Sequence, residues 1–506
     1  MSAAFKLDDY QIEAVEGARD QLRRGGKKCL IVLPTGGGKT VVASEVIHRA
    51  MQRESRVLFL AHRRELILQT SAKLKGFGVK HGIIMGSHPR ALQHLVQVAS
   101  VQTLAHHRDL LAGVDLIFLD EAHHAAAGSY EEILTWFPKA VVVGLTATPW
   151  RLDGRGLADI FDCHVIPRTP KQLKEEGWLV PVGGWEYEAI DTSGARVQGG
   201  DFATKDLVDE ASKPRVVGDI VEEWQRHAQG GRTIVFAVSI EISKLLAQKF
   251  REAGVPAEHL DGKMKMAERD GVLARLRSGE TRVVTNCNVL TEGFDCPTLE
   301  VCVLARPTLS TSLYLQMVGR VLRTVCFDCG ARNKWIDAKC RNCGGTNLKR
   351  QARIHDHAGC LAAHGHPYAE RDYSPETTVK GERESIEDAQ VRTVRQKRCT
   401  ACKSVRVEYP CDNCNYSPTP AELKVEFEEA AHAREIAEEN SPQRMKQQAL
   451  AAAFARVPER GRKAFFDKML HTRGLKAALA AYRSWSGGTA WPDKEWRHQS
   501  RAEASP

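Results

Sequence analysis

The sequence predicts an α/β protein: two successive domains, each a parallel sheet flanked by helices, followed by small cysteine-rich modules and a helical C-terminal tail. Three observations predict it. Apolar runs of strand length alternate with helical patterns from Leu7 to about Pro167. A second series of the same kind begins at Thr233, and eight of the 14 cysteines fall in pairs two residues apart.

A chain of 506 residues is long enough for about three or four domains. Its 72 basic and 63 acidic residues leave a net charge of +9, which suits a polyanionic partner without identifying one. Met1 to Tyr10 carries no apolar signal core, and no run approaches the roughly 18 apolar residues of a membrane helix, so a soluble intracellular protein with no membrane partner is expected.

Taken in order, Leu7 to Gln11 opens a helix that runs toward Arg23-Arg24-Gly25-Gly26, and Cys29 to Leu33 reads as a buried strand. Then comes Leu33-Pro34-Thr35-Gly36-Gly37-Gly38-Lys39-Thr40, leading into a helix from Val41 to Met51. Strand, glycine-rich turn and helix make a phosphate cradle, because backbone N–H groups and the helix N-terminus both face the anion. Lys39 would reach the β- and γ-phosphates and the Thr40 hydroxyl would ligate Mg²⁺. The match departs from the full pattern at Leu33, where glycine is usual. Next are a strand at Arg56 to His62, a helix at Arg63 to Lys75, a strand at Val98 to Val101, and a strand at Val114 to Leu119 that ends on Asp120-Glu121-Ala122-His123. Carboxylates at the tip of a parallel strand sit where such sheets bind ligands. Asp120 would anchor the metal and Glu121 would orient and deprotonate a water. Val141 to Leu145 is a further strand, tipped by Thr146-Ala147-Thr148-Pro149.

From Trp150 to about Gly230, glycines and prolines interrupt the pattern, so the first domain is expected to end near Pro167 with residues 168–230 as a connection. The second series runs through Thr233 to Val238, helices at Ile240 to Ala253 and Met266 to Arg277, and a strand at Arg282 to Asn286. It has no phosphate loop. Its strand tip leads instead to Thr291-Glu292-Gly293-Phe294-Asp295-Cys296-Pro297, and a later helix presents Gln316, Gly319, Arg320 and Arg323. Gln316, Arg320 and Arg323 share one helix face. That face could supply arginine fingers, worth about 10³ to 10⁵ in turnover, or be a solvated basic surface.

Ten residues lie between Cys326/Cys329 and Cys340/Cys343, and eight between Cys399/Cys402 and Cys411/Cys414. Two such knuckles close a tetrahedral Cys₄ shell, so two structural Zn²⁺ are expected, or one site shared between the modules. Cys29, Cys163, Cys287, Cys296, Cys302 and Cys360 read as core thiols. Arg332, Lys334, Lys339, Arg341, Lys349 and Arg350 surround the first module with Trp335; Arg392, Arg395, Lys397, Arg398, Lys403 and Arg406 surround the second with Tyr409. Such surfaces suit phosphates and stacked bases, the first module reaching the strand ahead, or else a partner protein. Beyond Pro420 the chain turns helical and charged, with apolar faces that pack on the rest of the protein or on a partner.

From Leu7 to Gly365 the order of segments resembles a superfamily 2 helicase of the DEAD/DEAH-box class, of the phage type related to the motor subunits of type III restriction enzymes. The resemblance implies two RecA-like domains, at 1–167 and 231–372, the second interrupted by a zinc ribbon at 324–350, then a second ribbon at 373–420 and the tail at 421–506. It implies that Gln11 reads adenine; that Pro34, Thr35, Gly36, Gly37, Gly38, Lys39 and Thr40 hold ATP and Mg²⁺ with Asp120 and Glu121; and that Arg320 and Arg323 are the fingers. Gly293, Asp295 and Gln316 would touch nucleotide or strand, and Thr146 and Thr148 would couple hydrolysis to movement. His62-Arg63 and Gln102-Thr103 match positions that grip a nucleic-acid backbone. His355, His357, His364 and His366 look like a metal cluster but match ordinary family backbone. An ATP-dependent helicase or translocase is implied, DNA favoured over RNA, in the cytoplasm of a bacterial or phage-infected cell. The competing readings are a zinc-dependent assembly factor that uses ATP as a switch, and the motor subunit of a restriction or defence complex.

Overall fold

The computed structural model describes residues 7–377 apart from 127, 152 and 292, together with 399, 401, 402, 404, 405, 410–417 and 419. Its first sheet contains β1 (Lys28–Val32), β2 (Val57–Ala61), β3 (His81–Ile84), β4 (Val96–Ser100), β5 (Leu116–Asp120), β6 (Val141–Thr146) and β7 (Cys163–Val165). The order is β3-β4-β2-β5-β6-β1-β7, and every pairing is parallel. A parallel sheet is covered on both faces, which is why its inner strands are apolar without alternation. Accordingly Cys29 to Val32 and every residue of β2 are buried. Parallel strands also deliver their C-terminal ends to one edge, so Pro34, Asp120 and Thr146 emerge side by side.

The chain then adds β8 (Val182–Glu186) and a short antiparallel hairpin of β9 (Val197–Gln198) and β10 (Asp201–Phe202). The second sheet takes in β11 (Thr233–Ala237), β12 (Ala257–Leu260), β13 (Val283–Asn286), β14 (Val301–Ala305) and β15 (Ala352–Asp356), in the order β12-β13-β11-β14-β15-β8, again all parallel. Much of the stretch expected to be a connection is therefore part of this second layer. β8 is its edge strand, and helices Thr204–Ala211 and Pro214–His227 bury Leu207, Ile220 and Trp224 with Val235, Phe250 and Val303. Gly183 and Gly184 read as breakers, yet they serve close packing. A Cβ on Gly184 would lie 2.9 Å from Leu361, and one on Gly183 2.8 Å from Asn413.

Between helix Thr311–Val318 and β15 the chain leaves the second sheet to build the first cysteine module and returns through an antiparallel bridge, Cys326 to Leu348. Lys349 pins the exit. Its buried ammonium donates to the carbonyls of Val321 (2.6 Å), Pro297 (3.3 Å) and Leu299, and burial pushes its pKa down to about 7. Both sheets and both cysteine modules belong to one compact unit. Among the described residues no helix is long and apolar enough to cross a membrane. The expected tail, with Arg392, Arg395, Lys397, Arg398, Lys403, Arg406 and Tyr409, lies outside the described residues.

Candidate functional site

The turn after β1 needs glycine at two positions. Gly36 and Gly38 have φ of +88° and +87°, a region that side chains disfavour. Space is tight as well: a Cβ on Gly36 would sit 3.0 Å from Arg323 Cγ, and one on Gly38 2.4 Å from Gln11 Nε2, so a neighbouring side chain would have to shift. Gly38 then caps helix Lys39–Met51, putting Lys39 and Thr40 in its first turn. Lys39 Nζ lies 3.6 Å from Glu121 Oε1. Glu121 has φ of +48°, rare for a side-chain-bearing residue, and this kink turns the chain directly beyond β5. Asp120 accepts a bond from the Glu121 N–H at 3.1 Å, and burial, reinforced by the neighbouring Glu121 charge, pushes its carboxyl up to about 7. A buried carboxylate that is costly to ionise, sharing a cleft with the Thr40 hydroxyl, supplies oxygen donors that suit a divalent cation.

One cleft is walled by Lys39, Thr40, Asp120 and Glu121 from the first sheet, and by Gly293, Asp295, Arg320 and Arg323 from the second; Pro34, Thr35, Gly36 and Gly38 also face it. Arg320 donates to the carbonyls of Phe294 (2.7 Å) and Thr291, while Arg323 pairs with Asp295 and thereby holds that carboxyl below its usual range. Both arginines are thus in the cleft, tethered to the strand-tip loop of their own half. Two expected ligands sit behind the wall. Gln11 Nε2 donates to the Gly37 carbonyl at 3.2 Å, under the loop, and Gln316 Nε2 donates to His123 Nε2 at 3.2 Å. His123 also lies 3.6 Å from Glu121 and 3.3 Å from the Thr146 hydroxyl, which donates to Thr148 O at 2.7 Å. A polar chain therefore runs from Glu121 through His123 to the second half.

The sequence reading missed part of the wall. Leu66, Gln69 and Lys73 line it, and desolvation lowers the Lys73 pKa. Their spacing along helix Arg64–Gly76 marks one helix face, a signal that was legible. Of the expected strand-gripping positions, Arg63 donates across to Asn288 O at 3.2 Å, His62 packs against His124 with ring centres 4.2 Å apart, Gln102 accepts from the Ser100 hydroxyl, and Thr103 accepts from the Gly86 N–H.

In each cysteine tetrad the four sulfurs lie within 4.8 Å of one another. Cys326 and Cys343 are 3.7 Å apart, Cys329 and Cys340 3.6 Å, Cys399 and Cys414 3.6 Å, and Cys402 and Cys411 3.8 Å. A tetrahedron of Zn–S bonds of about 2.3 Å has edges of about 3.8 Å, so both sets fit zinc. The N–H groups of Cys343 and Asn342 point at Cys340 and pull its thiol down to about 6, favouring the thiolate that a metal needs. Each tetrad is internal to its own module, which gives two sites and not one shared site. Among the described residues these are the only groups able to hold a metal by such clustering. The four histidines disperse: His355 packs on Trp185 and Tyr187, His357 stacks on Tyr187, His364 bonds Thr308 O, and His366 bonds Val182 O. Lys349 of the first module is buried, while its other basic residues are exposed or half-buried, and several of them engage protein groups or aromatic rings. Arg341 pairs with Asp337 at 2.8 Å, Arg350 caps the Trp335 and Asp337 carbonyls, and Arg332 and Lys334 lie over Trp178. The second module docks through Val405 N–H to Gly184 O at 2.8 Å, and through Lys174 to Asp412 at 3.1 Å.

Comparison with known proteins gives this geometry a context. Residues 4–151 match the family described as type III restriction enzyme, res subunit, and residues 212–325 match the helicase conserved C-terminal domain. A 51.5 kDa protein of a Lactococcus phage is 35% identical over 294 residues, covering 58% of this chain and 62% of the relative. The IRC3 protein of Saccharomyces cerevisiae, to which ATP-dependent helicase activity is ascribed, is 33% identical over 340 residues, 63% of this chain and 49% of that one. The chain thus spans 62% and 49% of the length of these two relatives. Among solved structures, a fragment ascribed to the HsdR subunit of a type I restriction enzyme from Vibrio vulnificus aligns with a TM-score of 0.53 at 23% identity, covering 71% of this chain and 65% of that one, a likeness of fold.

Proposed function

We propose, from the premise that this chain belongs to the superfamily 2 DEAD/DEAH-box helicases related to restriction-enzyme motor subunits, that it is a nucleic-acid-stimulated ATPase that moves along DNA. The observation that carries the proposal is the shared cleft, in which Lys39, Thr40, Asp120 and Glu121 of one sheet oppose Asp295, Arg320 and Arg323 of the other. DNA is favoured over RNA because the first half matches a restriction-enzyme family, and restriction enzymes act on DNA.

In this reading Thr40 and Asp120 would hold Mg²⁺, which would supply positive charge against the phosphates. Backbone N–H groups of the turn from Gly36 to Thr40 cradle the phosphates, and Lys39 balances their charge. Glu121 takes a proton from a water whose oxygen bonds to the γ-phosphorus as the bond to the β-phosphate oxygen breaks, and ADP and phosphate leave. Arg320 and Arg323 exchange their loop carbonyls and Asp295 for the γ-phosphate, and that exchange draws the halves together. The chain Glu121–His123–Gln316 reports the state of the phosphate end to the second half. Zinc held by each cysteine tetrad is structural, since four thiolates leave no open position.

Purified protein should hydrolyse ATP slowly alone and faster with single-stranded or duplex DNA than with RNA. Lys39→Ala should abolish turnover, and Glu121→Gln should retain ATP-bound protein on DNA. Hydrolysis by Glu121→Gln at the parent rate refutes the catalytic assignment. Stimulated hydrolysis without movement of a strand-displacement or triplex reporter favours a nucleotide-driven switch in an assembly.

A further inference from the structure

We infer that the first cysteine module is part of the nucleotide site itself: Arg332 forms the base-facing wall of the cleft, and zinc in the Cys326, Cys329, Cys340 and Cys343 tetrad holds it there. The inference rests on the ATP-site reading above and adds which part of the nucleotide the module meets.

Arg332 and Gly330 line the same cleft as Lys39 and Asp120, although they come from the insertion in the second half. The Arg332 guanidinium pairs with Asp8 at 2.5 Å, donates to Tyr10 Oη at 2.7 Å and lies 4.5 Å from the ring centre of Trp178. Tyr10 Oη in turn donates to the Gly37 carbonyl at 2.9 Å and accepts from Gln11 Nε2 at 3.3 Å. Arg332 therefore stands on the Gln11 side of the phosphate loop, whereas Asp120 and Glu121 stand against Lys39. Asp8 and Tyr10 Oη take N–H groups on the edge of the Arg332 guanidinium. What it offers is a flat face backed by an indole, the surface on which a planar base stacks.

The metal fixes this face. Arg332 follows the first knuckle directly, where Gly330 N–H donates to Cys326 O at 2.8 Å and Cys326 N–H to Ala331 O at 2.9 Å. The module buries only Cys326, Cys340 and Leu348 as its own core, too little to fold without an ion. Outside it, Trp335 is tied to Gly177 O and Lys174 O at 2.9 and 3.0 Å, so the ordered module is anchored beside Trp178.

The test measures binding to the whole protein by calorimetry, with ATP and with inorganic tripolyphosphate as separate titrants. Arg332→Ala should weaken ATP roughly tenfold while leaving tripolyphosphate unchanged, the loss that removal of one cation–π wall produces. Lys39→Ala should weaken both titrants. Cys340→Ser, shown by atomic emission to have lost one zinc per chain, should repeat the Arg332→Ala pattern. Equal ATP affinity in Arg332→Ala and the parent overturns the proposal, as does an equal loss for both titrants, which would make Arg332 a prop for Gly37. Full ATP affinity in the zinc-depleted variant overturns the role given to the metal. A parent protein that binds tripolyphosphate but not ATP, or neither, overturns the nucleotide reading beneath it.

Discussion

Acidification to pH 5 should destabilise the second α/β half by several kcal/mol, through histidines that fold neutral. His355, His357 and His366 are all buried, at 0%, 1% and 4% exposure. Burial drives their pKa values down to about 3, 3 and 4, with His357 adding to the effect on His355. A histidine whose folded pKa lies below its unfolded value of about 6.5 stabilises the fold fully above that pH and loses its contribution as pH falls toward the folded value. At pH 5 the loss is about 2 kcal/mol for each, or about 6 kcal/mol together. Asp356 works in the opposite sense. Burial raises its carboxyl to about 6, so its stabilising contribution grows as pH falls through that value, worth about 1.4 kcal/mol at pH 5. The net of about 4 to 5 kcal/mol is a large part of the 5–15 kcal/mol typical of a folded domain. Equilibrium urea unfolding, followed by tryptophan fluorescence with Trp185 packed at a tilt against His355, should show a midpoint lower by about 2 M at pH 5 than at pH 7.5, taking a slope of about 2 kcal/mol/M. His355→Phe/His357→Phe should keep the pH 7.5 midpoint within about 0.5 M and cut the acid shift to less than half. An unchanged midpoint in the parent, or a full acid shift in the double variant, refutes the reasoning.

Other perturbations have equally definite outcomes. Gly36→Ala forces a side chain into φ of +88° and against Arg323 and Leu179, so ATP turnover should fall sharply in steady-state assays while thermal unfolding changes by only about 1–2 kcal/mol. Arg323→Ala should keep ATP binding but lower turnover by about 10³ or more; a loss under tenfold removes it from the finger role. Leu30→Ala, at a fully buried position of β1, should cost about 2–5 kcal/mol in denaturant unfolding. Lys349→Met leaves three carbonyls without a donor and should cost about 1–3 kcal/mol, measured the same way.

What was legible in the sequence was local. The phosphate turn announces itself because strand, glycines and helix are contiguous, and the Asp120-Glu121 tip because an apolar run ends on two carboxylates. The cysteine tetrads were equally plain, since knuckle spacing is set by coordination geometry. What escaped depends on distant neighbours. β8 hides in Val182-Gly183-Gly184-Trp185, where glycines mark close approach by Leu361 and Asn413 and not a break. Arg332 was grouped with a surface for phosphates, stacked bases or a partner protein, and only the fold brings it to Asp8 and Tyr10, more than 300 residues earlier in the chain. Gln11 and Gln316, expected at the nucleotide, donate to Gly37 O and His123 Nε2, partners far along the chain that no local pattern announces.

The edge position of β8 bears on how the protein can be divided. A fragment started at Thr233, where the second series of strands begins in sequence, would strip β15 of its outer neighbour and remove Trp224 from beneath Phe250. It would expose a raw sheet margin, an invitation to aggregate. A cut just before Val182 keeps that margin covered, so the two halves separate cleanly only upstream of the boundary that periodicity suggests.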